Sequence, residues 1–524
     1  MKHFYLLFFV LILISCNKKK NPDSTKKPLP VEITDEGKVL AIDSTFISKT
    51  NDSIVATFYQ SNENRTFWLA FNCRESLLTI LNSVEEEGLN SKDFDLKKIA
   101  KLEKSIQSLS DKELVEYDLM LTQNLKKYVE KTANGSLNPK ELYKDWDLKE
   151  NKIDVQQLLL NFQRKDSFDF AVNEVKPQHI VYQKLKNSLK IINQFPDENF
   201  KKLEIKDKIV LNDTNDVLIE VKKRLSYWYD MKKPDSLTNI YDETTFNAVK
   251  NFQSRHGLAP DGVIGKGTIA SLNFTKQKRK EQIIANMERW RWFPRNFEKE
   301  YLIINIPDYS LQVVKENDTV KTHRIIVGKA SRSTPILSSK LSYVVFNPTW
   351  TVPPTILKED VIPAATKNRG YFASKSITIY SGSTIVSPDD WIPAKGRSYR
   401  YVQAPGSSNS LGLVKIMFPN RFSVYLHDTN TRGYFERENR SLSSGCVRVQ
   451  NPFELTEYLL SDSINWNKEK IDEVLAESKT KNVNFTKPIY LHLLYWTAWS
   501  DKNLLIFRDD IYGLDAELYK KLRN

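Results

Sequence analysis

The chain has 524 residues, too many for one hydrophobic core and enough for two to four domains. Its 40% hydrophobic, 27% charged and 11% aromatic residues exclude a disordered chain and a multispanning membrane protein. A net charge of +13 favours an anionic neighbourhood; three cysteines without a C-x-x-C pair and six histidines without H-E-x-x-H leave no expectation of a metal or cofactor.

At the N-terminus, Met1-Lys2-His3 precede an apolar run from Phe4 to Ile14. It is shorter than the roughly 20 residues that a membrane-spanning helix needs and has the shape of an export signal. Cys16 directly after Leu13-Ile14-Ser15 resembles the lipobox of bacterial lipoproteins, against the plainer alternative of a signal anchor with an incidental cysteine. The resemblance implies a signal over residues 1–16, lipidation at Cys16, and a periplasmic protein lipid-anchored to the envelope of a Gram-negative-type bacterium. Residues 17–45 read as a polar tether. Export, with no zinc finger or arginine-rich block, removes nucleic acid from the expected partners and leaves anionic lipid and wall polymer.

Residues 46–211 carry helical periodicity: Phe67, Leu69, Leu77, Leu78, Ile80 and Leu81 recur at three- and four-residue steps, and Tyr117–Val129 and Val155–Phe162 repeat the theme. Cys73 is expected as a buried structural thiol there. Residues 212–275 are punctuated differently. Val217, Leu218, Val221 and Leu225 mark one helix and Phe246, Val249 and Phe252 a second; a glycine-rich turn, Gly257–Gly267, enters a third at Thr268–Leu272. The combination F-Q-x-x-x-G-L with D-G-x-I-G-x-x-T resembles the three-helix peptidoglycan-binding domain of cell-wall enzymes.

Near Lys299 the period turns to alternation. Strands are expected at Tyr301–Ile306, Ser310–Val314, Val320–Val327, Leu341–Phe346, Gly412–Phe418 and Arg421–Leu426. The chemistry follows the last of them. His427 stands at a strand end, and fifteen residues separate it from Ser443-Ser444-Gly445-Cys446-Val447-Arg448. A cysteine nucleophile needs a base, because a free thiol with a pKa near 8.5 is mostly protonated at neutral pH, and N–H donors for the oxyanion that its attack creates. His427 can serve as base, and the backbone of Ser444, Gly445 and Cys446 can supply the donors.

This string resembles the L,D-transpeptidase catalytic domain, whose pattern is a His followed at a similar interval by Ser/Thr-His-Gly-Cys. Ser444 replaces the second histidine, as in a long subgroup with a helical scaffold domain. Phe58-Tyr59, Arg65 and Trp68, and Asn347–Pro354, also fit that subgroup. The resemblance implies a multidomain α+β protein: a helical scaffold domain (46–211), a peptidoglycan-binding domain (212–275), a β-rich catalytic domain (298–465) with a cap at about 351–405, and a C-terminal segment (466–524) packing on the scaffold or catalytic domain. It implies that Cys446 attacks a tetrapeptide stem, releases D-Ala and passes the acyl group to the diamino acid of a second stem. Ser443, Arg448 and Trp350 are then the substrate-side residues, with loop bracing open for Arg448 and packing for Trp350. Partners are peptidoglycan, the membrane through the lipid, and cell-wall synthases. Water or a protein amine as acceptor, and a non-catalytic wall-binding lipoprotein, are the alternatives. K-T-G is absent and Ser24–Lys27 falls in the tether, which disfavours penicillin-binding-protein chemistry.

Overall fold

The computed structural model describes residues 38–164, 168–233, 235–460 and 466–524; the apolar N-terminal run and Cys16 lie outside them. Two compact units result, one ending at Ser136 and including Lys152–Gln178, the other made of Leu137–Asn151 and His179–Asn524.

The first unit is helical and is organised by one element, Asp111–Asn134. Ser110 and Glu113 cap its start reciprocally, which satisfies two otherwise orphaned N–H groups. Asp118 on its buried face accepts the Tyr59 hydroxyl and the Trp68 N–H, both at 2.7 Å, while the Trp68 indole donates to Thr122 at 2.8 Å. Burial lifts the Asp118 carboxyl to about 6 even so. Cys73, expected to be buried, is half-buried on the helix Phe71–Asn82 and rests against this core from outside. Helix Ile180–Gln194, placed by periodicity in the scaffold stretch, belongs to the second unit.

The second unit contains the three short helices Val217–Tyr227, Glu243–Arg255 and Lys266–Leu272. Gln253 is buried among them and donates to Asp261 Oδ1, the Val263 carbonyl and Thr268 Oγ1, while accepting from the Gly262 N–H. The fingerprint residues of this domain thus bond to one another.

Eighteen described strands follow in chain order: β1 Trp146–Asp147, β2 Glu300–Asn305, β3 Ser310–Lys315, β4 Asp318–Gly328, β5 Ile336–Lys340, β6 Tyr343–Phe346, β7 Trp350–Thr351, β8 Ile377–Ser381 and β9 Thr384–Val386. The second half comprises β10 Arg400–Gln403, β11 Val414–Met417, β12 Leu426–His427, β13 Ser441–Ser443, β14 Val447–Val449, β15 Lys481–Asn484, β16 Tyr490–Leu494, β17 Ala498–Asp501 and β18 Leu504–Phe507. Twelve of them form one sheet in the order β1-β5-β16-β2-β3-β4-β14-β12-β11-β6-β15, with β13 beside β4. The long β4 joins its halves, pairing with β3 over its first part and with β14 through Ile325 and Ile326. Residues 466–524 contribute to this sheet directly: β16 lies between β5 and β2.

The alternating stretch Arg421–Leu426 forms a turn until its last residue, and pairing begins only at β12. Asn420 is the reason. Its side chain accepts the Phe422 and Val424 N–H groups and donates to the Phe418 and Val424 carbonyls, satisfying locally what a ladder would otherwise satisfy. Residues 350–403 fold as a small subdomain, in which β7, β10, β8 and β9 form a separate sheet and Val352, Val361, Phe372, Ile379, Trp391 and Tyr401 form its core.

Candidate active site

Strands β12 and β14 run parallel and adjacent, with Leu426 opposite Val447 and His427 opposite Arg448. Side chains alternate along a strand, so Tyr425, His427, Cys446 and Arg448 share one face. On the other side of β12, Lys415 of β11 pairs with His427. Lys415, His427 and Arg448 therefore form a row across three strands, and Cys446 stands at the near end of the third.

The turn before Cys446 depends on Gly445, whose φ of +110° is open to glycine and strained for side chains. Ser443, expected on the substrate side, is buried inside this turn. Its hydroxyl donates to the Cys446 carbonyl at 2.5 Å and accepts the Gly445 N–H at 3.1 Å. Ser443 is an internal brace, and the Gly445 N–H, expected as an oxyanion donor, is directed inward to it. The geometric reason is the sharp turn, which folds the Ser443 side chain back under its own backbone. The N–H groups of Ser444 and Cys446 have no protein partner among the described hydrogen bonds.

The thiol is largely enclosed. Burial pushes its pKa up; hydrogen bonding with Tyr425 and the charges of Lys415 and Arg448 pull the other way. Burial, reinforced by Arg448 and Lys415, holds the His427 imidazole down at about 3, so it is neutral at ordinary pH. Its Nδ1 donates to the Asp428 carbonyl at 2.5 Å, and the Leu411 carbonyl also faces the ring. Among the described hydrogen bonds none joins His427 to the Cys446 sulfur; contacts of this kind often close only when substrate binds. A neutral imidazole beside a protonated thiol is the resting form of a cysteine nucleophile with a general base.

Residues 299–472 match the family described as "L,D-transpeptidase catalytic domain". The chain carries an L,D-transpeptidase catalytic domain. Residues 214–272 match "Putative peptidoglycan binding domain" and residues 53–189 match "Scaffold domain". A protein of Haemophilus influenzae named "Putative L,D-transpeptidase" is 34% identical over 318 residues, 57% of this chain; the match spans 63% of that protein, under two thirds of its length. Among solved structures, an L,D-transpeptidase (residues 123–326) from Xylanimonas cellulosilytica aligns at 14% identity over 56% of this chain and 100% of that one, with a TM-score of 0.17. An L,D-transpeptidase from Stackebrandtia nassauensis aligns at 11% over 57% and 97%, with a TM-score of 0.21. Such low scores leave the assignment to the sequence matches.

In this L,D-transpeptidase domain Trp350 packs half-buried against the small subdomain's core. Arg448 is largely buried, and its Nε has no hydrogen-bond partner, which suits a site awaiting an anion. Two residues escaped the sequence reading. Tyr425 helps to lower the pKa of the thiol, and Lys415, half-buried, sets its ammonium 3.9 Å above the Tyr425 ring. The one signal for Tyr425 was its place two residues before His427; Lys415 looked like a solvated residue on an alternating strand. Among the described residues no cluster is suited to hold a metal ion, and no helix is long and apolar enough to cross a membrane.

Proposed function

We propose that this protein is a peptidoglycan L,D-transpeptidase that forms cross-links through a thioester on Cys446. The observation that carries the reading is the shared face of Cys446 and a neutral, buried His427, on adjacent parallel strands within the matched catalytic domain. Cys446 attacks the carbonyl of the third residue of a tetrapeptide stem as His427 accepts the thiol proton. The free N–H groups of Ser444 and Cys446 hold the developing oxyanion. Collapse expels D-Ala, with the histidine returning its proton to the leaving amine. The side-chain amine of a second stem's third residue then attacks the thioester and restores the thiol. Lys415 and Arg448 lie without a carboxylate partner among the described ion pairs, and we assign them to the stem's carboxylate groups.

The matched peptidoglycan-binding domain supports wall polymer as the substrate, and the sequence around Cys16 supports a periplasmic enzyme held to the envelope by lipid. Incubating protein that lacks residues 1–16 with purified disaccharide-tetrapeptide and separating the products tests the reading. A cross-linked dimer short of one D-Ala, absent with Cys446→Ala, is the expected result. Tripeptide monomer alone in the presence of abundant acceptor would convert the assignment to an L,D-carboxypeptidase.

A further inference from the structure

The nucleophile turn is braced on its inner side by Ser443, and the brace on its outer side comes from elsewhere in the chain. After β4 the chain folds back through a short helical turn, Ala330–Arg332. Gly328 permits this, since a Cβ there would meet the Arg332 carbonyl oxygen at 2.2 Å. The loop lies along the turn: the Lys329 N–H donates to the Ser443 carbonyl at 3.0 Å and Thr334 Oγ1 donates to the Gly445 carbonyl at 2.9 Å.

Arg332 extends from this loop to the small subdomain. One terminal nitrogen donates to Ser444 Oγ at 2.8 Å and to Asp360 Oδ2 at 2.6 Å; the other terminal nitrogen reaches Asp360 Oδ1 at 3.2 Å and also Glu359. Its Nε donates to Glu359 Oε2 at 2.9 Å. The Arg332 side chain is 9% exposed against 49% and 43% for the two carboxylates, so the guanidinium is the enclosed partner. Glu359 and Asp360 sit on a single π-helical turn, Leu357–Val361, whose two end residues are buried in the subdomain's core. Such turns are rare within helices and recur at functional sites.

We propose that Arg332 is a positioning residue for acyl transfer: it couples the seating of the 350–403 subdomain to the Ser444–Cys446 backbone that receives the oxyanion. A planar guanidinium held by two carboxylates has its remaining donor direction fixed, and that direction is Ser444. Ser444 precedes the flexible Gly445, so clamping its side chain limits how far its own N–H and that of Cys446 can turn away. Without the Glu359 and Asp360 contacts the clamp would loosen and the donors would lose alignment. The inference rests on the proposed thioester chemistry.

The test compares two reagents on the whole protein lacking residues 1–16. Para-nitrophenyl acetate acylates a thiol through a tetrahedral oxyanion, with no need of stem recognition. Iodoacetamide alkylates the same thiol by direct displacement, without an oxyanion. Arg332→Gln should slow acylation about 10- to 100-fold, the scale of impairing one oxyanion donor, and change alkylation by less than about 2-fold. Arg332→Lys should recover part of the loss, and the surface pair Glu359→Gln with Asp360→Asn should slow acylation about 10-fold with an unchanged melting temperature. Wild-type acylation in Arg332→Gln would overturn the proposal, and so would alkylation that falls in step with acylation, since that marks a disturbed thiol. A wild-type enzyme that reacts with the ester but not with the stem would count against the proposed function, while the ester rates would still decide the role of Arg332.

Discussion

Two glycine-containing turns in the second unit carry family fingerprints, and they spend their polar groups in opposite ways. In the peptidoglycan-binding domain, Gln253 is surrounded by Asp261, Gly262, Val263 and Thr268, and it bonds to all four. Around Cys446, the N–H groups of Ser444 and Cys446 and the Arg448 Nε are left without protein acceptors among the described contacts. Buried polar groups are ordinarily satisfied, so the first pattern is that of a folding signature and the second that of a site completed by something else. The comparison separates residues that make the domain recognisable from residues that the proposed reaction would use.

The sharpest way to break the comparison is at the proposed nucleophile, Cys446. Cys446→Ala should abolish acyl-enzyme formation while leaving the melting temperature within about 1 °C, because one sulfur at the edge of the core contributes little to it. His427→Ala should lower acyl transfer about 10²- to 10⁴-fold, the range of a lost general base, measured as initial rates at saturating stem. A stability readout sharpens the same residue. His427 titrates near 3 in the fold and near 6.5 when unfolded, so the unfolded chain takes up the proton first and stability falls as pH drops from 6.5 towards 3. At pH 5 that loss amounts to about 2 kcal/mol, and His427→Gln should lose correspondingly less melting temperature than wild type between pH 7 and pH 5.

The peptidoglycan-binding turn should respond with the opposite profile. Gln253→Leu strands the Gly262 N–H and several acceptors, which should cost about 2–4 kcal/mol by denaturant titration. Iodoacetamide alkylation of Cys446 under native conditions should stay within about 2-fold of wild type, since alkylation makes no use of that turn. The smallest effect belongs to Lys415. Its charge lowers the Cys446 pKa, so Lys415→Met should raise it further and slow alkylation at pH 8 by about 3- to 10-fold, with the gap closing as pH rises.

The sequence made the site legible where chemistry depends on neighbours along the chain. Ser443–Arg448 could be placed in one turn and His427 at a strand end because both are local features, although Ser443, expected on the substrate side, braces that turn from within. What it concealed depends on partners far along the chain. Arg332 meets Ser444 and Asp360, and nothing near Arg332 announces either. Lys415 reads as a surface residue until pairing sets it beside His427. The stretch Met287–Trp292 is similar. Its Arg289 and Arg291 look solvated, yet both are buried, paired with Asp515 and Glu288. Strand boundaries failed for a different reason: alternation suggested Arg421–Leu426, and one asparagine side chain consumed the backbone groups a ladder would have used.

The most direct measurement is intact-protein mass spectrometry after brief incubation with disaccharide-tetrapeptide, with Cys446→Ala and His427→Ala run beside wild type. The account predicts a wild-type adduct equal to the donor stem less D-Ala, placed on Cys446 by peptide mapping, weak in His427→Ala and absent from Cys446→Ala. An adduct that persists in Cys446→Ala, or cross-linked product formed without Cys446, would contradict it.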